Sequence, residues 1–386
     1  MKNIVLIIIC LLGNSLSSAL SAQSDSAKVH LNGQLVGWTT LQAESPLILQ
    51  PGGRFVPALT GKFDTDKISS FDFEVSFNIN GNTTYKDFRK ESASATLKPY
   101  RVWMRYATDK FELRGGLQKI NFGQAKLFRP LMWFDGMDVR DPLQLTDGVY
   151  GLLGKYFFEN NASVWAWGLI GNKNTKGWEL NPTEQWKPEL GGRLEMPVIT
   201  GEMALSTNFR QVHTPILYSS RLNDYLLLHE SRIGLDGKWD LGFGLWFESS
   251  TTITQKNTAL TPHFQDMWNA GIDYTFPLGN GLGATIEYLR YHAGEQFFVN
   301  GTSLNLIGTM FTYPVSIIDN LSAMLFFVPV QNVLFNYFSW SRTYDKWSFY
   351  AIAYLNPPNS QLLTFQSTAN NLFSGKGIQL MAAFNF

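Results

Sequence analysis

The chain has 386 residues, 15% of them aromatic and only 16% charged, with 31 basic and 31 acidic residues and a net charge of zero. An average soluble domain is about 25% charged, so this balance argues against a basic nucleic-acid binder and towards a surface that meets lipid. After residue 22 no apolar run approaches the ~20 residues that a membrane-spanning helix needs, so any crossing has to be made by strands.

The amino terminus, MKNIVLIIICLLGNSLSSALSA, places Lys2 before an apolar run from Ile4 to Leu12 and small residues up to Ala22. This is the layout of a secretory signal peptide over residues 1–22, with cleavage expected after Ala19 or Ala22. Cys10, the sole cysteine, lies in the apolar run and leaves with it, so the exported chain has no thiol for a disulfide or a thiolate-bound metal. The first strand is expected soon afterwards, without room for the plug domain of an energised transporter.

Beyond the signal a period of two dominates. In SFDFEVSFNIN, Ser70 to Asn80, Phe71, Phe73, Val75, Phe77 and Ile79 alternate with Asp72, Glu74, Ser76 and Asn78. That pattern gives a strand one apolar and one polar face. The same rhythm returns in ELGGRLEM from Glu189, DLGFGLWFES from Asp240, WNAGIDYTF from Trp268 and GLGATIEYL from Gly281. Repeated segments of about ten residues of this kind mark outer-membrane β-barrels.

The predicted strands, in chain order, are 28–41, 52–62, 70–80, 96–107, 110–119, 148–158, 162–171, 187–196 and 201–210. They continue with 225–235, 238–252, 266–276, 281–292, 303–313, 320–328, 332–341, 346–355 and 376–386. These are eighteen strands, sixteen if the soft boundaries around 52–62 and 303–330 merge. Alternate connections carry tight-turn chemistry, at Thr108-Asp109, Asn160-Asn161, Asp236-Gly237 and Gly279-Asn280-Gly281. The others, such as 80–95, 172–186, 211–224, 253–265 and 356–375, read as long polar loops. Short periplasmic turns, long outer loops and both termini in the periplasm make one consistent arrangement. The last segment, GIQLMAAFNF, alternates Ile378, Leu380, Ala382 and Phe384 and ends in Phe386, similar to the terminal strand by which outer-membrane proteins are recognised for insertion. The expected class is therefore an all-β, single transmembrane antiparallel barrel in the outer membrane of a Gram-negative bacterium.

Parity then assigns the faces. If Phe71, Val75, Met104, Leu113, Leu194, Leu205, Phe243, Ile272 and Ile286 face lipid, the lumen receives Asp72, Glu74, Arg101, Arg105, Glu112, Arg114, Glu189 and Arg193. It also receives Glu195, Glu202, Arg210, Glu230, Arg232, Glu248, Asp273 and Glu287. A charge at the lipid midplane costs about 2–4 kcal/mol for Arg or Lys, which supports the inward assignment. Both signs are present, so these side chains either set a field across a water-filled pore or pair with one another and close it.

From Leu304 to Leu355 the strands lose their polar face: MLFFVP, NVLFNYFSW and KWSFYAIAYL carry Phe326, Phe327, Leu334, Phe335, Phe338, Trp340, Phe349 and Tyr350 at successive parities. An apolar inner wall calls for a cover. The third outer loop, about 120–147, supplies one in Phe128, Leu131, Met132, Trp133 and Phe134, while Arg129, Asp135, Asp138, Arg140 and Asp141 are expected to pair with lumen charges. The loop is therefore expected to fold inward and narrow the barrel.

LRGGLQKINFG, Leu113 to Gly123, followed by WFDGMDVRDPLQLTDGVYGLLGKYF, Trp133 to Phe157, resembles porin-like barrels of the alginate-export type. There a strand with R-x-G-x-Q precedes a loop with D-x-x-D-P and a strand opening in D-G-V; Arg114, Gln118, Asp138, Asp141 and Pro142 are the matching residues. The resemblance implies an eighteen-stranded barrel that passes a polar solute or polysaccharide through an Arg-lined lumen. This sequence departs from that pattern in its mixed, acid-rich inward charges, which argues against a polyanion.

No catalytic or cofactor motif stands out. Asp135, Asp138 and Asp141 lack the D-x-D-x-D-G spacing of a Ca²⁺ loop, and the five histidines show no H-E-x-x-H pairing. Two functions remain open: a passive, loop-constricted channel for small polar solutes, or a non-transporting barrel subunit of an assembly or secretion complex, docked to other outer-membrane proteins or lipoproteins.

Overall fold

The computed structural model describes residues 27–65, 68–215, 225–255, 261–358 and 373–386, so the expected signal segment 1–22 lies outside the described residues. The first half of the chain forms β1 (Ala27–Gln42), β2 (Ile48–Asp64), β3 (Ser69–Lys86), β4 (Arg89–Thr108), β5 (Phe111–Gln118), β6 (Val149–Phe157), β7 (Ser163–Leu169), β8 (Glu189–Val198) and β9 (Gly201–Pro215). The second forms β10 (Tyr225–Asp240), β11 (Gly244–Thr254), β12 (Phe264–Phe276), β13 (Leu282–Gln296), β14 (Val299–Pro314), β15 (Asp319–Val328), β16 (Val333–Thr343), β17 (Trp347–Leu355) and β18 (Lys376–Asn385). Each strand pairs antiparallel with the next, and β1 pairs with β18 from Gln34↔Asn385 to Gln42↔Gly377, which closes an 18-stranded barrel without an edge.

Alternation along the strands sorts residues onto two faces. Phe71, Met104, Leu113, Leu194, Leu205, Ile272 and Ile286 are exposed on the outside, while Ser76, Ser206, Asn208, Glu248 and Glu287 on the opposite face are buried. An outer surface this rich in exposed Leu, Ile and Phe suits hydrocarbon rather than water.

Three expectations fail, each for a physical reason. Residues 80–95 are not a long loop: β3 and β4 stay paired to Lys86↔Arg89 and turn at Asp87 and Phe88, both with positive φ. Polar residues line both faces of this extension, so a period of two cannot reveal it. Asp236-Gly237 is not a turn. β10 runs through it to Asp240, because Asp236 is drawn inward against Arg193, and the reversal comes at Leu241–Phe243, where Gly242 takes φ 84. Phe243 accordingly sits in that turn, outside any strand.

Leu205 lies on the outer face near mid-strand and is 51% exposed. Leu205→Arg is expected to lose about 2–4 kcal/mol of folding stability in phospholipid vesicles, measured by urea titration. An effect below about 0.5 kcal/mol would place β9 outside the hydrocarbon.

Candidate functional site

The connection from β5 to β6, residues 119–148, turns into the barrel, and two carboxylates on the far wall receive its backbone. Glu287 on β13 is fully buried and accepts hydrogen bonds from the amides of Lys126 (2.6 Å), Leu127 (3.1 Å) and Phe128 (3.0 Å). It also accepts from Trp246 Nε1 at 3.2 Å and Asn269 Nδ2 at 3.1 Å. Glu248 on β11 is 1% exposed and accepts from the amides of Ala125 (2.6 Å) and Leu131 (3.2 Å). Among the described residues neither carboxylate has an ion-pair partner, so loop amides and wall dipoles do the solvating.

Apolar contacts fix the loop on both sides. Leu127, Phe128 and Met132 pack with Leu289, Leu306, Phe326, Phe335, Tyr337 and Tyr354 of β13–β17. Ile120, Phe122, Leu131, Trp133 and Phe134 pack with Val149, Leu153, Trp167 and Leu169 of β6 and β7. The apolar inner wall noticed in the sequence thus has its cover. Glycines make the room: a Cβ on Gly308 would stand 2.9 Å from both Leu127 Cδ1 and Phe128 Cζ. Trp133 Nε1 donates to Ser250 Oγ at 2.9 Å, and Lys126 Nζ pairs with Asp273.

The loop's own charges behave differently from expectation. Arg129 pairs with Asp135 at 3.3 Å and Arg140 with Asp138 at 2.7 Å, both inside the loop rather than with wall charges. A local partner satisfies each ion at little cost in loop entropy. Burial works against the Arg140 charge, but Asp138 and the Tyr337 hydroxyl, 3.2 Å away, hold its pKa above the usual value. Asp141 accepts from the Leu143 amide at 3.0 Å, and burial raises its carboxyl above the ordinary range.

The predicted inward charges mostly neutralise one another. Asp72 and Arg105 pair on β3 and β4, with Glu112 3.4 Å from Arg105 and 2.8 Å from Arg114 on β5. Arg193 bridges Glu195 at 2.7 Å and Asp236 at 2.6 Å. Arg210 and Arg232 share Glu230, at 2.6 and 2.8 Å, and reach Glu179 at 2.8 and 3.0 Å. Glu189 is held by Lys176 at 3.0 Å. Glu74 accepts from Ser76 Oγ at 2.8 Å, Glu202 from Gln124 Nε2 at 2.7 Å, and Arg101 donates to the Thr146 carbonyl at 2.9 Å where the loop leaves the interior.

Sequence reasoning missed Asp236, hidden by its turn-like Asp-Gly, and the pair Lys176 and Glu179 in the loop between β7 and β8. That second loop also enters: Trp178 Nε1 donates to the Arg129 carbonyl at 3.1 Å, and Gln265 Nε2 donates to the Trp178 carbonyl at 2.9 Å. No periodicity marks the residues of this second loop, whose partners are the wall charges of β8–β10, Gln265 of β12 and the Arg129 carbonyl of the first loop.

No family model and no curated protein sequence matches the chain. Solved structures do. OccAB2 of Acinetobacter baumannii superposes with a TM-score of 0.56 at 10% identity, over 93% of this chain and 98% of its own. OmpT, an outer membrane protein of Vibrio cholerae in its trimer form, gives 0.53 at 12% identity over 94% and 100%. Wzi of Escherichia coli, described as a carbohydrate-binding β-barrel involved in group 1 capsule assembly, gives 0.52 at 12% identity over 97% and 87%. The fold is that of a porin-like outer-membrane β-barrel. At these identities the likeness is one of architecture.

Glu287→Ala strips the amides of residues 126–128 of their acceptor. It is expected to lower stability by on the order of 2–3 kcal/mol and to speed hydrogen exchange at those amides, whereas Glu202→Ala, at an exposed carboxylate, leaves both unchanged. Equal exchange in the two variants would mean that apolar packing alone holds the loop.

Proposed function

We propose that the chain is a passive, non-catalytic channel for small polar solutes in the outer membrane of a Gram-negative bacterium, narrowed by the inward-folded loop 119–148, with both termini on the periplasmic side. The observation that carries this reading is the capture of the loop's backbone by Glu248 and Glu287 on the opposite wall, which holds the loop across the interior.

The remaining wall supports a polar path beside it. Among the described residues β1–β4 and β18 contribute nothing to either apolar cluster. Their inner face carries neutral polar side chains, among them Thr40, Gln50, Asn78 and Gln379, beside the mutually paired Asp72 and Arg105 and the Ser76-bonded Glu74 of β3 and β4. Two cations on this wall are stacked on aromatic rings and have no ion-pair partner among the described residues: Arg54 lies 5.7 Å from the Trp38 ring and Arg101 4.0 Å from the Tyr100 ring. Such a lining offers hydrogen bonds and stacking without a strong field, which suits small neutral or weakly charged solutes better than a polyanion.

Deleting residues 127–146 is expected to raise single-channel conductance in a planar bilayer, because it removes the segment that Glu248 and Glu287 hold across the interior. Conductance equal to that of the full chain would remove the loop from the permeation path and with it this proposal.

A further inference from the structure

On the outer face of β14–β18 the side chains leave a groove. Its floor is Ala323, Ala351 and Ala353, and Phe311, Phe338 and Ile378 stand along it. The register explains the shape: Ala323 pairs with Phe311 on one side and Phe338 on the other, and Ala353 pairs with Phe338 and Ile378. Each alanine is thus a low point between large neighbours, on a surface where Leu321, Phe338 and Trp340 are exposed.

At the terminus-side end of this groove lies a charged group with no reason to face hydrocarbon. Arg342, on the same outward parity as Phe338 and Trp340, forms a two-pronged pair with Asp319, Nε to Oδ1 and Nη2 to Oδ2, both at 2.8 Å. Trp340 Nε1, on a residue that also lines the groove, donates to Asp319 Oδ1 at 3.0 Å, and Ser316 Oγ donates to Oδ2 at 2.9 Å. The guanidinium carbon stands 5.7 Å from the Trp340 ring, and the Arg342 side chain is 39% exposed. The cost of a lipid-facing charge falls from about 2–4 kcal/mol at the midplane to about 0–1 at the interface. Asp319 opens β15 and Arg342 is the last residue but one of β16, so the pair belongs at headgroup level, with the groove rising from it into the hydrocarbon.

We propose that this face binds one diacyl phospholipid of the periplasmic leaflet, an acyl chain in the alanine-floored groove and its phosphate on Arg342, steadied by Trp340. The carboxylate of Asp319 fixes the guanidinium plane, and the planar fork then presents its exposed edge to a phosphate. The proposal rests on the outer-membrane placement of the barrel and is independent of whether the lumen conducts.

Native mass spectrometry of the full-length protein in mild detergent tests it, with phosphatidylethanolamine and diacylglycerol of the same chains as probes. One phosphatidylethanolamine per barrel should survive detergent exchange, with diacylglycerol retained at least tenfold less. Ala353→Phe, which fills the groove, should reduce phosphatidylethanolamine retention at least tenfold without altering thermal unfolding, and Arg342→Gln should abolish the preference for the phosphate-bearing lipid. Equal retention of both lipids, undiminished binding in Ala353→Phe, or a second barrel bound at this face in place of lipid would each overturn the proposal.

Discussion

An irregular segment inside a barrel has backbone amides that neither a helix nor a ladder can satisfy, and an unpaired buried amide is costly. Here Glu248 and Glu287 on the wall meet that demand for residues 125–128 and 131. The exchange is mutual, because a carboxylate buried without a cation needs donors as much as the amides need acceptors. Much else follows from that contact. Gly308 clears space for Phe128, Trp246 and Asn269 complete the donor shell of Glu287, and the aromatic wall of β15–β17 receives the side chains that the amides bring within reach.

The same constraint orders the charges. Glu248 and Glu287, which grip the loop, carry no counter-ion among the described residues, whereas Arg105 of β4 and the inward arginines of β5 and β8–β10 are matched by acids on the strands or on the loop between β7 and β8. Buried ion pairs are weak evidence of stability, since desolvation consumes most of their attraction. Their effect here is to remove net field from one side of the interior. Among the described residues the wall formed by β1–β4 and β18 takes no part in the apolar clusters and carries neutral polar residues beside the Asp72–Arg105 pair and the aromatic-stacked Arg54 and Arg101.

Closure, strand number and the two faces were legible in the sequence because a period of two is imposed by geometry wherever one side meets lipid and the other does not. Glu287 and Glu248 were placed inward by parity alone, and the apolar late strands announced that something must cover them. Legibility ended where that contrast vanished. The extensions of β3 and β4 have polar residues on both faces, and Asp236 lay under a dipeptide whose local preference was overruled by Arg193 across the strand pair. The loop's internal pairs, Arg129 with Asp135 and Arg140 with Asp138, depend on a fold of the loop that no spacing encodes.

The doubly apolar strands hold the sharpest case. β15–β17 break the alternation because both faces meet apolar surroundings: Phe326, Tyr337 and Tyr354 are buried inward against the loop and its neighbours, while Leu321, Phe338 and Trp340 are exposed outward. Between those outward rings stand Ala323, Ala351 and Ala353, small where the inner residues are large. A strand that must fill the interior with aromatic bulk meets no such packing demand from its own chain on the outer side, so small residues can stand there between the rings. The loss of period that first marked these strands as odd is thus the trace of two apolar faces, one packed on a loop of the same chain and one turned outward.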